Sequence, residues 1–138
     1  MVLGFRGEGV TFSAPMAASA TITKGDVVAF DANGKLVRAP ANEKSPIGVA
    51  AETRTSGAGE NPRVAFVKHG VAGVKATAAV KAGDALCVGA NAGEVLKLTD
   101  QAVNEAGVAA YTIYRNQKLG IALQDIAAGA DGDVYVGA

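Results

Sequence analysis

Short apolar runs alternate along the chain with turns rich in glycine, asparagine and aspartate, which is the pattern of short β-strands. The first clear case is the run from Val27 to Phe30, which is apolar at every position. A turn at Lys24–Gly25 precedes it, and "DANG", Asp31–Gly34, follows it. Leu36 and Val37 then return as a second short strand. This pattern predicts a β-hairpin whose first strand is buried on both faces.

The same pattern recurs later in the chain at a spacing of 58 residues. "IGVA", residues 47–50, also has a counterpart in "LGIA", residues 119–122, and each is followed by a turn-rich stretch and a short strand, Val64–Val67 or Val134–Val136. We therefore expect two similar β units, unit 1 (residues 21–71) and unit 2 (residues 76–138), joined through "KHGVAGVKAT". The aligned positions are Ile22, Gly25, Asp26, Val28, Phe30 and Asn33 with Val80, Gly83, Asp84, Leu86, Val88 and Asn91; one inserted residue then aligns Gly34 and Leu36 with Gly93 and Val95.

The two copies differ in what surrounds them. Residues 1–20 are spaced by glycines and then alternate up to Pro15, which predicts an extended N-terminal arm with one short strand; a frayed terminus is the alternative. Unit 2 contains a longer insertion, in which Thr99 and Gly107 are typical of a helix start and stop. They predict one short helix over about residues 100–106, followed by a strand in "VAAYTIY".

The chain length of 138 residues favours one domain, residues 21–138 after the arm. Its 18 glycines suit short strands and tight turns better than long helices. The predicted fold class is therefore all-β: a small β-clip or barrel-like domain built from two similar units, with an extended arm and at most one short helix.

The charge balance argues against two classes of partner. Lysine plus arginine and aspartate plus glutamate both number 13, so no net field attracts nucleic acid or an anionic membrane. There is also no apolar run long enough for a transmembrane helix. With one cysteine and no recognisable signal peptide, we expect synthesis in a reducing cytosol.

Candidate catalytic groups are few. His69 is the only histidine and Cys87 the only thiol. Cys87 occupies the position that Ala29 has in unit 1, which favours a small buried packing site over a nucleophile. His69 lies near a predicted strand end and is interpreted as a surface or interface residue. Asp26 and Asp84 each follow a glycine in a turn, so hydrogen bonds to the backbone explain them without catalysis.

Metal and phosphate sites are poorly supported. One histidine and one cysteine fall short of a zinc ligand set. "DGD", residues 131–133, is better explained as turn chemistry than as calcium ligands. The glycine-rich "GFRGEG" and "SGAGENP" match neither nucleotide-binding fingerprint. The sequence therefore predicts no cofactor and no enzyme activity.

The order of these motifs resembles a known family. "ATITKGDVVAFDANGKLVRA", residues 20–39, and "YRNQKLGIALQDIAAGADGDVYVG", residues 114–137, are similar to the opening and closing patterns of the head decoration, or capsid cement, proteins of tailed phages. The resemblance covers residue 17 to the C-terminus. The arm and the insertion at residues 99–116 depart from the family pattern.

The resemblance implies a non-enzymatic structural protein of the virion, made in the host cytoplasm and located on the outer capsid surface. Its partners would be the major capsid protein and two further copies of itself, in a trimer that stabilises the expanded shell at local three-fold positions. For contact with the capsid we expect the arm residues Phe5, Arg6 and Phe12. For contact within the trimer we expect Tyr111, Tyr114 and Arg115 of the insertion, although the tyrosines could equally cover one end of a barrel.

One alternative function remains open at this point. A small β-barrel or β-clip module for a carbohydrate or other small ligand would need a concave site with converging polar and aromatic groups. Seven aromatic residues in the whole chain offer little to line one.

Overall fold

The structure, a computed structural model, describes residues 9–99 and 116–137. Within these ranges the chain forms eleven β-strands and no helix. The helix predicted over residues 100–106 and the strand predicted in "VAAYTIY" lie outside the described residues. The strands are β1 (Val10–Pro15), β2 (Thr21–Ile22), β3 (Val27–Phe30), β4 (Leu36–Arg38), β5 (Gly48–Ala50), β6 (Arg54–Thr55), β7 (Arg63–Lys75), β8 (Ala85–Val88), β9 (Val95–Lys97), β10 (Gly120–Ala122) and β11 (Asp131–Val136).

Nine of these strands form one antiparallel sheet. Its order is β4-β3-β5-β7-β11-β10-β8-β9, and β1 pairs with β7 outside this path. The short strands β2 and β6 pair with each other. The sheet curls into a half-barrel. The predicted all-β fold class is confirmed.

The repeated turns have the same geometry in both units. Gly25 and Gly83 adopt φ angles of 93° and 92°, in the left-handed region that favours glycine. Asp26 Oδ2 accepts a hydrogen bond from the Thr23 N–H at 2.9 Å, and Asp84 Oδ2 accepts one from the Lys81 N–H at 3.0 Å. The prediction that both aspartates serve the turns is therefore confirmed.

The segment predicted to link the units is a strand instead. Residues 68–75 form the second half of β7, which runs unbroken through both units. No strand was predicted for this segment; its glycines allow close approach of backbones within a strand. Gly70 has a φ of 132°, and a Cβ on it would lie 2.7 Å from the Cα of Gly9. "DGD", residues 131–133, likewise opens strand β11 rather than a turn.

The hydrophobic core shows the same repeat as the strands. Each unit has an inner cluster of apolar side chains at aligned positions, and both clusters pack inside the curled sheet. In unit 1 these residues are Ala14, Met16, Ile22, Val28, Leu36, Ala50, Val64 and Phe66. Their counterparts in unit 2 are Val74, Ala76, Val80, Leu86, Val95, Ala122, Val134 and Val136.

Each unit is also closed by one parallel backbone bridge. Met16 bridges Leu36 at the outer edge of β4, and Ala76 bridges Val95 at the outer edge of β9. Leu36 and Val95 were already aligned from the sequence. Met16, immediately after β1, therefore corresponds to Ala76, immediately after β7, so β1 corresponds to the second half of β7.

This correspondence changes the picture of the arm. β1 pairs with β7 along its whole length, and Ala14 and Met16 are buried. Residues 10–16 are thus part of the sheet and core of unit 1, although they were predicted to lie in a free arm. Ala14 and Met16 bury apolar surface, and this burial holds the segment against the domain. Residues 10–16 therefore do not form a free arm.

The matched turns give a stability test. Gly83→Ala should lower the free energy of unfolding by about 1–2 kcal/mol, because alanine is strained at this positive φ. Gly73→Ala is the control, since Gly73 has no positive φ and no atom within 4 Å of an added Cβ. Urea denaturation of both variants measures the difference. Equal stabilities would contradict the proposed role of the turn.

Candidate functional site

Strand β1 exposes apolar side chains at the edge of the sheet. Val10 and Phe12 are 44% and 51% exposed, on the face whose next residue inward, Ala14, is buried. The Phe12 ring packs against Phe66, with the ring centroids 6.3 Å apart. Phe66 is itself buried in the unit 1 cluster. Phe12 therefore continues the core outward onto the surface, and it is held there by an aromatic partner.

The other edge of β1 has backbone groups free to bind. The Met16 N–H donates to the Pro62 carbonyl at 2.8 Å. Because antiparallel pairs alternate, the even-numbered residues of β1 bond to β7 and the odd-numbered ones face away. The N–H groups of Thr11 and Ser13 consequently point outward. Apart from the bridge after Pro15, no strand in the described ranges pairs with this edge.

The C-terminal part of this edge is blocked. Pro15 has no N–H to donate outward. The Arg63 Nη2 donates to the Ser13 carbonyl at 2.8 Å, and its Nε donates to the Ser13 hydroxyl at 3.1 Å. These two features are a common protection against unwanted edge pairing. A partner strand can therefore add only at Ser13 and the residues before it.

Of the predicted site residues, the structure places only Phe12. Phe5 and Arg6 of the arm lie outside the described residues. Tyr111, Tyr114 and Arg115 of the insertion also lie outside them. Their roles in capsid contact and trimer contact stay predictions.

A groove lies between the two units. Its volume is 710 Å³, and it is lined by the turn at Lys24–Asp26, by β5, by the second half of β7 and by Glu94. No aromatic side chain is among its described lining residues. Asp26 is already engaged, since its Oδ2 lies 3.6 Å from the Arg38 Nε. Charged side chains line the groove, but its described residues lack the aromatic groups that typically stack against a carbohydrate.

Cys87 and His69 do not form a catalytic pair. Cys87 is buried in the middle of β8, as the packing interpretation predicts. Burial raises the pKa of the Cys87 thiol, and the charge of Lys44 opposes this to a smaller extent. His69 is exposed on β7 opposite Val10. The described residues contain no cluster of three or more metal-ligating side chains, and no helix among them could cross a membrane.

Comparison with known proteins supports the resemblance seen in the sequence. Residues 4–66 match the phage cement protein family. This segment includes Phe5, Arg6, β1 and the first hairpin, and stops within β7. The predicted similarity to capsid cement proteins is confirmed over this part of the chain. The match begins at residue 4 rather than 17, so the expectation that the arm departs from the family pattern was wrong. No curated protein matches the sequence.

A solved structure shares the fold. It is the head fiber gp8.5 N base of bacteriophage phi29, which aligns with a TM-score of 0.61 at 17% sequence identity. The alignment covers 92% of this chain and 94% of that chain. The match therefore extends over both units and shows that the described part of this chain shares the overall fold of that protein.

Two features of the surface were missed by sequence reasoning. Arg63 was not singled out from the sequence, because its bonds to Ser13 depend on the pairing of β1 with β7. Phe30, predicted in a strand with both faces buried, is 47% exposed. Its counterpart Val88 is buried. The sequence signal for this difference was that unit 1 has an aromatic residue at the aligned position and unit 2 an aliphatic one.

The buried thiol gives a second prediction. Native protein should react slowly with a thiol reagent at pH 8, and denatured protein should react fast. Because the folded pKa lies above its ordinary value of 9.0, the neutral thiol stabilises the fold below that pH. This contribution should be lost as the pH rises through the folded pKa.

The matched variant is Cys87→Ala, which copies Ala29 of unit 1. It should fold. At high pH its free energy of unfolding should not show the decrease that ionisation of the Cys87 thiol causes in the wild type. Unfolding curves between pH 8 and 11 compare the two proteins. Rapid labelling of the native wild type would contradict the packing role.

Proposed function

We propose that the protein binds the outer surface of a phage capsid and stabilises the expanded shell, without catalysing a reaction. The observation that carries the proposal is the position of β1. It lies within the segment that matches the phage cement family, and it presents exposed apolar side chains beside an open backbone edge. The fold shared with a phage head fiber base agrees with a role on the head.

Attachment would proceed by strand addition. An extended segment of the major capsid protein pairs with the outward N–H groups of Thr11 and Ser13, and Phe12 and Val10 supply apolar contact next to this edge. The block at Pro15 and Arg63 fixes where the added strand ends. Phe5 and Arg6, which precede this edge in sequence, then extend the contact, with Arg6 pairing with a carboxylate of the shell.

Three such contacts on one trimer would reinforce one another. A trimer at a local three-fold position presents three β1 edges to neighbouring capsid subunits. Once one edge binds, the other two act at a high effective concentration. Modest contacts of each edge therefore sum to tight attachment, and bridging between subunits resists their separation.

The arm is tested by deleting residues 2–8. Head binding should fall strongly, because Phe5 and Arg6 are lost, while β1 and the core of unit 1 remain. The deletion must stop before Val10, since Ala14 and Met16 are buried. Counting the copies bound to expanded heads, with circular dichroism as the control for folding, measures the effect. Undiminished binding by the folded variant would reject the arm contact.

The edge is tested separately by Thr11→Pro. This substitution removes one outward N–H and leaves the inward bonds of β1 to β7 in place. Binding to heads should weaken by about tenfold, the equivalent of one well-formed hydrogen bond and its neighbours. Thr11→Ala keeps the N–H and is the matched control. Equal head binding by both variants would contradict strand addition at this edge.

A further inference from the structure

The two units of one chain contact each other through a hairpin of unit 2, and the turn of the equivalent hairpin of unit 1 takes no part in this contact. The hairpin between β8 and β9 inserts Gly93 into unit 1, where the Val27 N–H donates to the Gly93 carbonyl at 3.0 Å. The Gly93 N–H in turn donates to the Ala39 carbonyl at 2.9 Å. A Cβ on Gly93 would lie 2.6 Å from the Arg38 Nε, so only glycine fits. We call the surface of unit 1 that contacts this hairpin, formed by Val27, Ala39 and Val49, the socket. We call the β8–β9 hairpin itself the plug.

The socket of unit 1 is fully buried by this contact. Val27, Ala39 and Val49 are each at most 1% exposed, and they pack in one cluster with side chains of unit 2. Val88, at the base of the plug, is buried in the same cluster. The contact is therefore a continuous apolar interface. The backbone hydrogen bonds at its edge include the two at Gly93 and one from the Asn42 N–H to the Gly89 carbonyl at 2.7 Å.

Unit 2 has an equivalent socket with no plug among the described residues. Its aligned side chains Ala85, Leu98 and Ile121 are only partly buried. The Leu98 N–H donates to the Ala85 carbonyl at 2.7 Å, as the Ala39 N–H does to Val27 at 2.8 Å. Neither the Ala85 N–H nor the Leu98 carbonyl has a described backbone partner corresponding to Gly93.

Unit 1 in turn has an equivalent plug, which is not seated in a socket formed by the described residues. The hairpin between β3 and β4 carries Gly34, which has the same φ as Gly93 within one degree, 74° against 73°. Gly34 is exposed, whereas Gly93 is buried. Phe30, at the base of this hairpin, is 47% exposed where Val88 is buried. Phe30 is therefore exposed to solvent, whereas Val88 at the aligned position of unit 2 is buried in the contact between the units.

We propose that copies of the chain associate by repeating this internal contact, with the β3–β4 hairpin of one copy seated in the unit 2 socket of the next. The occupant is a second copy, because the chain carries one plug and one socket of the same kind as the pair already joined within it. The contact is heterologous, so repetition closes a ring or extends as a filament.

The intermolecular contact would differ from the internal one in its hydrogen bonds, in the length of the hairpin and in its aromatic side chain. The Gly34 N–H already donates to the Asp31 carbonyl at 3.0 Å, so this plug offers its carbonyl to the Ala85 N–H but no second bond. The hairpin is one residue shorter than that of unit 2. Phe30 supplies a larger apolar contact than Val88 does. Aromatic side chains often contribute much of the binding energy of an interface.

This inference adds contact surfaces to the proposed trimer, and it rests on that proposal only for the number of copies. A disulfide test examines it independently of head binding. In a Cys87→Ala background, Asn33→Cys and Lys97→Cys are combined, because Gly34 would face Lys97 as Gly93 faces Arg38. The control combines Asn33→Cys with Ala58→Cys, which is exposed on a loop outside the proposed contact.

Oxidation in solution and on expanded heads, followed by non-reducing electrophoresis, should give linked trimers or a ladder only for the Asn33–Lys97 pair. In parallel, Phe30→Ser should weaken association by about tenfold or more, as expected for an interface aromatic. Leu123→Ser, at a residue 48% exposed, is its control.

Absence of linked species in a protein that binds heads would overturn the inference and leave the proposed function standing. The same holds if Phe30→Ser and Leu123→Ser associate equally. Linked rings in a protein that does not bind heads would support the inference while the proposed function fails.

Discussion

The continuous pairing of β7 is the constraint on which the rest of the structure depends. Its first half pairs with β1 and β5, and its second half pairs with β11. Because β7 belongs to both units, the two halves of the curled sheet share one strand. The plug at Gly93 then joins unit 2 to unit 1 on a second surface. In this small chain, which is poor in aromatic residues, these two links fix the arrangement of the described sheet edges.

This arrangement matters for the proposed function, in which the protein holds capsid subunits in place. In the proposed function the binding energy comes from main-chain hydrogen bonds and a few apolar side chains, and these act best when they are preorganised. β1 is held by Ala14 and Met16 in the core, while Phe12 remains at the surface. Arg63 blocks one end of the open edge. The same strand therefore contributes to folding on one side and to binding on the other.

The repeat made much of this fold predictable from sequence. Gly25 with Asp26 and Gly83 with Asp84 mark turns whose chemistry is local, so their roles could be read directly. The pairing of β1 and the continuity of β7 depend on contacts between residues distant in sequence, and the glycines at Gly70 and Gly73 concealed them. The exposure of Phe30 depends on which unit covers the other. Phe5, Arg6, Tyr111, Tyr114 and Arg115 stay predictions.

The most direct test of the central claim is electron cryo-microscopy of expanded heads incubated with the purified protein. The account predicts density for the protein on the outer surface at local three-fold positions, with a strand of the capsid protein continuing the sheet beside Thr11. Heads that carry no added density, or density that contacts the shell only through surfaces away from β1, would contradict it.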